Sequence, residues 1–397
     1  MRCLLCYETS KPFHHRGTEA RRKTDENLCA SVAGGFKTMS DELSPEDELR
    51  LNVLFTTELK AVRIDESNMT LWAKTPQGEA SVPLKPNDRA DRYLKRVREQ
   101  LCGHALGSPG GYPVHLTRWT RQGQTGLSAQ HLTQLLLIAE EEAVVAVVHS
   151  PALTDELAQY AWWCMPTIEN ARLMLMRDVV SKGSMGRILA GFLVEHLAFL
   201  HEDDVGILDT VAVMLYSGVL TEAERVAIWR RGNHRNAYYV PFLELCPESL
   251  PQTKPERADF AAQRAALATL TDNPYAIMLL KALSDQGQTF LYATAIILDR
   301  PEVQEVVNHC LQAVSNWSAP LRDADTTARE IALATVLAVA PDLAAECAAL
   351  AALAVVNAET VRAVFLRTTA IGSLMRRKIE PVVTPLLVQI GVLRKAP

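Results

Sequence analysis

Cys102 and His104 stand two residues apart. A thiol beside an imidazole is the pairing that activates cysteine for nucleophilic attack or for carrying sulfur, provided the base lies within hydrogen-bond reach of the sulfur. On a helix, positions i and i+2 point in different directions. Cys102 is therefore read as a small residue near a helix end, a weak thiol candidate and not half of a dyad.

Three other groupings offer ligand-type side chains. Cys3, Cys6, His14 and His15, with Cys29 as a distant further donor, suggest half of a zinc site. Structural zinc needs four well-spaced ligands in a folded context, and this spacing fits no such pattern. Glu195, His196, His201, Glu202, Asp203 and Asp204 gather at a helix joint. They lack the i, i+3 or i, i+4 spacing that places two ligands on one helix face. Asp203 or Asp204 reads instead as an N-cap, and His201 as a helix C-terminal residue. Ser181, Lys182, Gly183, Ser184, Gly186 and Arg187 open an apolar helix, where backbone amides and two cations can hold an anion. The P-loop spacing and a preceding strand are both missing, so a capped helix start is expected. The sequence thus calls for no catalytic residue, no metal and no cofactor. Trp162, Trp163, Tyr238 and Tyr239 look like partner surface, but large aromatics at helical spacing read first as core.

The least helical stretch is Gly107-Ser108-Pro109-Gly110-Gly111-Tyr112-Pro113, followed by a strand-like run that ends in Arg118-Trp119-Thr120-Arg121. Prolines fix φ and glycines permit positive φ, so residues 107–113 read as a shaped loop, packed as a joint between two parts of the chain. Gly107, Pro109, Gly110, Gly111, Tyr112, Arg118, Trp119 and Arg121 form the candidate interaction or structural loop. Trp and Arg there suit a binding hot spot as well as they suit a strand that buries only the indole.

Around these residues the chain divides into three parts. Residues 1–38 have no helical or strand period and are expected to be a disordered extension or a misassigned start, with Met39 as the initiator. Residues 39–124 read as a small α+β domain. Ser44 caps a helix that begins at Pro45, Ala61–Asp65 is a strand, and Thr75-Pro76-Gln77-Gly78 turns a hairpin whose second strand holds Pro83 and so belongs at an edge. Residues 88–106 follow as an amphipathic helix. Residues 125–397 read as helices of about a dozen residues. Thr221–Glu224 and Thr327–Glu330 look like capping boxes, Gly218 and Gly287 like helix stops, and Pro381 like a joint. The polar segment from Gln252 to Ala258 reads as a hinge. The expected fold is mostly α: a small α+β unit followed by an irregular array of antiparallel helix pairs, HEAT-like or a bundle.

The whole-chain quantities set broad limits. The 397 residues are 48% hydrophobic and 22% charged, with a formal charge of −5, which argues against nucleic acid as the main partner. The longest apolar run, near residues 331–356, is broken by Asp342 and Glu346 and reads as two buried helices, so no membrane span is expected. The N-terminus has no charged-then-apolar signal pattern. Eight thinly spread cysteines suit a reducing, cytoplasmic setting.

Arg63-Ile64-Asp65-Glu66-Ser67, the segment Gly103-His104-Ala105-Leu106-Gly107-Ser108-Pro109-Gly110-Gly111-Tyr112-Pro113-Val114 and Arg118-Trp119-Thr120-Arg121 resemble the DsrS family. These are sulfur reduction proteins encoded with the dissimilatory sulfite reductase system of sulfur-oxidising bacteria. The resemblance runs from about Leu43 to the C-terminus. It implies a soluble, cytoplasmic accessory or regulatory protein of dissimilatory sulfur oxidation, and it brings no active-site residues. The expected function is protein–protein interaction through a helical surface. The alternatives are a thiol-dependent sulfur-handling enzyme or carrier that uses Cys102, and an anion- or nucleotide-binding protein that uses residues 181–187.

Overall fold

The computed structural model describes residues 42–107, 128–200 and 203–394. The extension, its zinc-like residues, residues 108–127 of the Gly/Pro segment and its Arg–Trp run, and His201 and Glu202 lie outside the described residues.

The described chain opens with α1 (Pro45–Phe55), where the Ser44 hydroxyl accepts from the Asp47 amide at 3.3 Å. Three antiparallel strands follow, β1 (Ala61–Asp65), β2 (Thr70–Thr75) and β3 (Gly78–Pro83), in the order β1-β2-β3. The β2–β3 hairpin closes through Thr75 opposite Gly78, whose φ of 137° needs glycine. Pro83 ends the edge strand, where its missing N–H costs no ladder bond. Next comes α2 (Ala90–Leu106), which ends on Gly107 at φ 66°, the left-handed cap that favours glycine.

Strand periodicity gives the sheet two different faces. Val62, Leu71, Ala73 and Val82 point to α1 and α2 and join Leu51, Leu54, Tyr93, Leu94, Val97 and Leu101 in a small apolar core. At its rim Asp47 is buried, yet it accepts from the Tyr93 hydroxyl and the Lys85 amide, so its charge is satisfied. The opposite face carries Arg63, Lys74 and Glu79 toward the helices.

The rest of the described chain is helical, with no strand in it. The helices are α3 (Ala129–Leu135), α4 (Glu141–His149), α5 (Asp155–Cys164), α6 (Ile168–Leu175), α7 (Asp178–Ser181), α8 (Ser184–His196), α9 (Asp204–Ser217), α10 (Glu222–Arg231) and α11 (Val240–Leu245). Then come α12 (Phe260–Ala266), α13 (Pro274–Leu283), α14 (Asp285–Asp299), α15 (Gln304–Trp317), α16 (Ala319–Arg322), α17 (Thr326–Val339), α18 (Ala344–Ala354), α19 (Glu359–Phe365) and α20 (Gly372–Arg394). The protein is thus mostly α with a small α+β unit at its start. Helices α4 to α9 pack largely on near neighbours, and later helices reach further, α11 to α15 and α20 back to α13, α14 and α18. One continuous apolar core runs through them. No single described helix is long and apolar enough to cross a membrane.

Several local readings hold and several need correction. Thr221 and Glu224 form the full capping box, with bonds of 3.3 and 2.9 Å in the two directions. Gly218 ends α9 at φ 69°. The second capping box is displaced: Asp325, not Thr327, caps α17 by accepting from the Thr327 amide at 3.1 Å. Gly287 is no stop. It lies in the first turn of α14, and a Cβ there would fall onto the carbonyl oxygen of Lys281 at the end of α13. Pro381 is no joint but stands inside α20, as does Pro385. The segment from Gln252 to Ala258 is no hinge either. The Lys254 amide donates to the Thr289 hydroxyl at 2.7 Å, and the buried Arg257 guanidinium holds Asp259 at 2.6 Å and Glu346 on α18 at 2.8 Å. Of the two helices expected to be buried near residues 331–356, α18 buries one face through Cys347, Leu350 and Leu353 and exposes Ala344, Ala345 and Ala348, and α17 exposes Ile331 and Val339.

Candidate interaction surface

Trp163 joins the sheet to the helices. Trp163 of α5 lies under the Arg63 guanidinium at 4.5 Å, donates through Nε1 to Glu79 at 2.9 Å, and its carbonyl accepts from Arg63 at 3.1 Å. A cation over an indole face combined with hydrogen bonds on both sides makes this a docking joint, and it explains Trp163 structurally. Tyr238 and Tyr239 are core, as expected, and their hydroxyls reach the Leu197 carbonyl at 3.2 Å and Asn233 Oδ1 at 2.8 Å.

The neighbouring Trp162 behaves differently. Its ring meets Phe192 edge-on at 4.7 Å, Phe192 stacks on His196 at 3.7 Å, and His196 lies 5.6 Å from Phe199. Ile188, Phe192 and His196 follow one another at i, i+4 and i+8 along α8, so they share a face. Phe199 continues that face from the short 3-10 turn Leu197–Leu200. The inward side of the same helix carries Met185, Leu189, Ala190 and Leu193, all buried. The middle of the stripe is half-buried, with Phe192 packed against the core, and both of its ends look outward: Ile188 is 53% exposed and Phe199 76%. The imidazole Nδ1 of His196 lies 2.8 Å from the Phe192 carbonyl oxygen, and its ring lies over the phenyl at an angle of 28°.

The groupings expected from sequence resolve one by one. Cys102 is wholly buried on α2, and His104 stacks instead on Phe55 at 4.3 Å. Burial pushes the thiol of Cys164 up to about 12 and that of Cys347 to about 11, and it raises that of Cys310 as well, so all three stay protonated near neutrality. Cys246 is half-buried with the Arg225 guanidinium 3.8 Å from its sulfur. At the start of α8, the donors an anion would use are already engaged within the chain. Asp155 accepts from the amides of Ser184 and Met185 at 2.8 and 3.1 Å and from the Ser184 hydroxyl at 2.7 Å. Lys182 pairs with Asp178, and Arg187 with Glu224. His196 belongs to the aromatic stripe. Asp203 caps α9 by accepting from Gly206 at 2.9 Å, and the buried Asp204 pairs with Arg235. Among the described residues no three His, Cys, Asp or Glu side chains converge as a metal site. Of the candidate loop only Gly107 is described; Pro109, Gly110, Gly111, Tyr112, Arg118, Trp119 and Arg121 are not.

The stripe was not singled out from sequence. Its signal was present in the i, i+4, i+8 spacing of Ile188, Phe192 and His196, but only packing shows which of the apolar residues of α8 are covered. Compared with family models, with curated proteins and with solved structures, the chain gives no match.

Proposed function

We propose that this chain is a non-enzymatic accessory or regulatory protein of the cytoplasm that acts by binding another protein through the aromatic stripe of α8. The carrying observation is the row Ile188, Phe192, His196 and Phe199, half-buried at its middle and exposed at Ile188 and Phe199, beside a helix face that is already in the core. Leaving large apolar side chains in water costs about 25 cal/mol per Å², so a contiguous row of them marks a surface that is covered in use. Stacking holds the rings in place beforehand, which lowers the ordering cost of association.

The resemblance to the DsrS family supports a partner within the sulfur-oxidation machinery. The carrier alternative fares less well, because Cys102 is buried and the three thiols with shifted titration stay protonated. The anion alternative must displace Asp155 from the α8 amides.

The test is affinity purification from cells growing on reduced sulfur, with the parent chain and an Ile188→Asp/Phe199→Asp variant. The expected result is one stoichiometric partner with the parent, lost at least tenfold with the variant, at an unchanged melting temperature. Equal recovery by both chains would refute the proposal.

A further inference from the structure

Helix α20 buries Met375, Ile379, Val383, Leu386, Ile390 and Leu393 along one side. A surface helix of this kind ordinarily turns polar and charged residues to the opposite side. Here the opposite side carries Leu374, Lys378, Pro381, Pro385 and Val388, spaced i, i+4, i+7, i+11 and i+14, and all five are exposed. Only Lys378 among them is charged, and the aliphatic ends Leu374 and Val388 are 54% and 58% exposed. At 1.5 Å per residue the row is about 21 Å long. Glu380, the only acid of the helix, sits on a third side, where it lines a groove against α14 with Asp299.

The connection from α19 extends this row at its start, exposing Leu366 (76%) and Ile371 (68%). Its backbone is held in place, since the Gly372 amide donates to the Glu302 carbonyl at 2.8 Å and Gln304 donates to the Thr368 carbonyl at 2.9 Å. Lys378 Nζ donates to the Thr368 hydroxyl at 2.7 Å, which brings the connection onto the turn between Leu374 and Lys378. Residues 366–378 contain four cations and no acid, in a chain whose formal charge is −5. Arg376 is paired with Glu302 at 2.8 Å, and Arg362 nearby with Glu359 at 2.9 Å. Among the described residues Arg367, Arg377 and Lys378 have no carboxylate partner. These three cations stand against Glu380 alone, and Glu380 is on the groove side.

We infer that this face of α20, together with the α19–α20 connection, is a peripheral contact for an anionic lipid bilayer. Charge selects a negative surface, because the cations beside the row are unneutralised and the row itself holds no acid. Composition selects lipid: the row is aliphatic and proline, without the Trp and Tyr that anchor protein interfaces. The alkyl stems of Arg367 and Lys378 lie along apolar neighbours while their heads reach the lipid phosphates. The prolines set the depth. Pro381 and Pro385 have no N–H for the carbonyls of Arg377 and Pro381, and free acceptors are not tolerated in hydrocarbon. The backbone therefore stays at headgroup level and only side chains reach the acyl chains. This contact does not rest on the α8 stripe.

The experiment is cosedimentation of the whole chain with vesicles of phosphatidylglycerol and phosphatidylcholine in equal parts, compared with phosphatidylcholine alone. Two variants accompany it, Arg367→Glu/Lys378→Glu and Leu374→Asp/Val388→Asp. All four positions are exposed, so both are expected to fold; circular dichroism and the melting temperature check this. Where a variant melts early, Arg377→Gln/Lys378→Gln removes two charges without reversing them and takes its place. The parent is expected to sediment with the mixed vesicles, less so as salt rises, and about tenfold more weakly or worse when either variant or phosphatidylcholine alone is used. No sedimentation of the parent, or equal sedimentation of a folded variant, would overturn the inference. Retention of the parent but not the charge-reversed chain on immobilised polyglutamate, with no vesicle binding, would assign the face to an acidic protein and overturn it too. The Ile188→Asp/Phe199→Asp variant is expected to sediment like the parent, so this test and that of the α8 stripe fail separately. Loss of sedimentation in that variant would move the lipid contact to α8 and overturn its assignment to α20.

Discussion

Gly287 shows how a single atom decides a helix junction. Only Ser284 separates α13 from α14, and Ser284 caps α14 by accepting from the Gly287 amide at 3.1 Å. The chain turns so tightly that any side chain at 287 meets the carbonyl of Lys281. Overpacking of this kind costs about 1–3 kcal/mol, so Gly287→Ala is expected to lower stability by that amount in urea unfolding, whereas Gly191→Ala, where a Cβ meets open space within a helix, is expected to raise it slightly. Equal midpoints for the two variants would contradict this. Glu224 supplies a second test at the residue scale. The hydrogen bond from the Arg187 guanidinium, outweighing burial, holds its carboxyl down to about 2 from an ordinary 4.5. A carboxyl depressed in the folded state contributes stability that is complete above the unfolded value and is lost as pH falls through the folded one. Glu224→Gln keeps the capping geometry but not the charge. The stability gap between parent and variant is therefore expected to be constant above about pH 5 and to close between about pH 4.5 and 2. A gap that stays constant to pH 2 would show that the ion pair adds nothing.

At the scale of elements, the ion triad around Arg257 is what fastens the segment between α11 and α12 to α18. Removing the cation leaves Asp259 and Glu346 facing each other unpaired, a loss of about 3–5 kcal/mol for a buried pair. Arg257→Met is expected to show it in thermal unfolding, together with faster native-state proteolysis near Lys254. This segment also marks the limit of what the sequence conveys. Its composition, polar and interrupted by Pro255, is that of a linker, and the partner that anchors it lies 89 positions away on α18. Features encoded within a few residues were legible: the cap at Ser44, the Thr75–Gly78 turn, the box at Thr221, the stop at Gly218. Features that depend on how one element packs on another were not. Gly287 is a glycine because of close approach, not because of its dihedral angle. Pro381 and Pro385 sit in α20 because their missing N–H groups fall on the solvent side, while Met375, Ile379, Val383, Leu386 and Ile390 bind the helix to the core. The α8 stripe belongs to the same class. Its residues could be listed from sequence, but their exposure follows from which side of α8 the rest of the array covers.

At the scale of the molecule, the helices surround one long core, and the small sheet is fastened to it at Trp163 and by the Val62 amide, which donates to the Leu136 carbonyl at 2.8 Å. Such a body offers rigid helix faces on which binding residues keep their positions, and we place its function on one of them. The most direct measurement is photo-crosslinking in cells growing on reduced sulfur, with a benzoylphenylalanine in place of Phe199 and, as control, in place of Leu49, which is 66% exposed on α1. A single discrete adduct is predicted from position 199, absent from position 49 and abolished by Ile188→Asp. No adduct at 199, or the same set of adducts from both positions, would contradict a binding role for the α8 stripe.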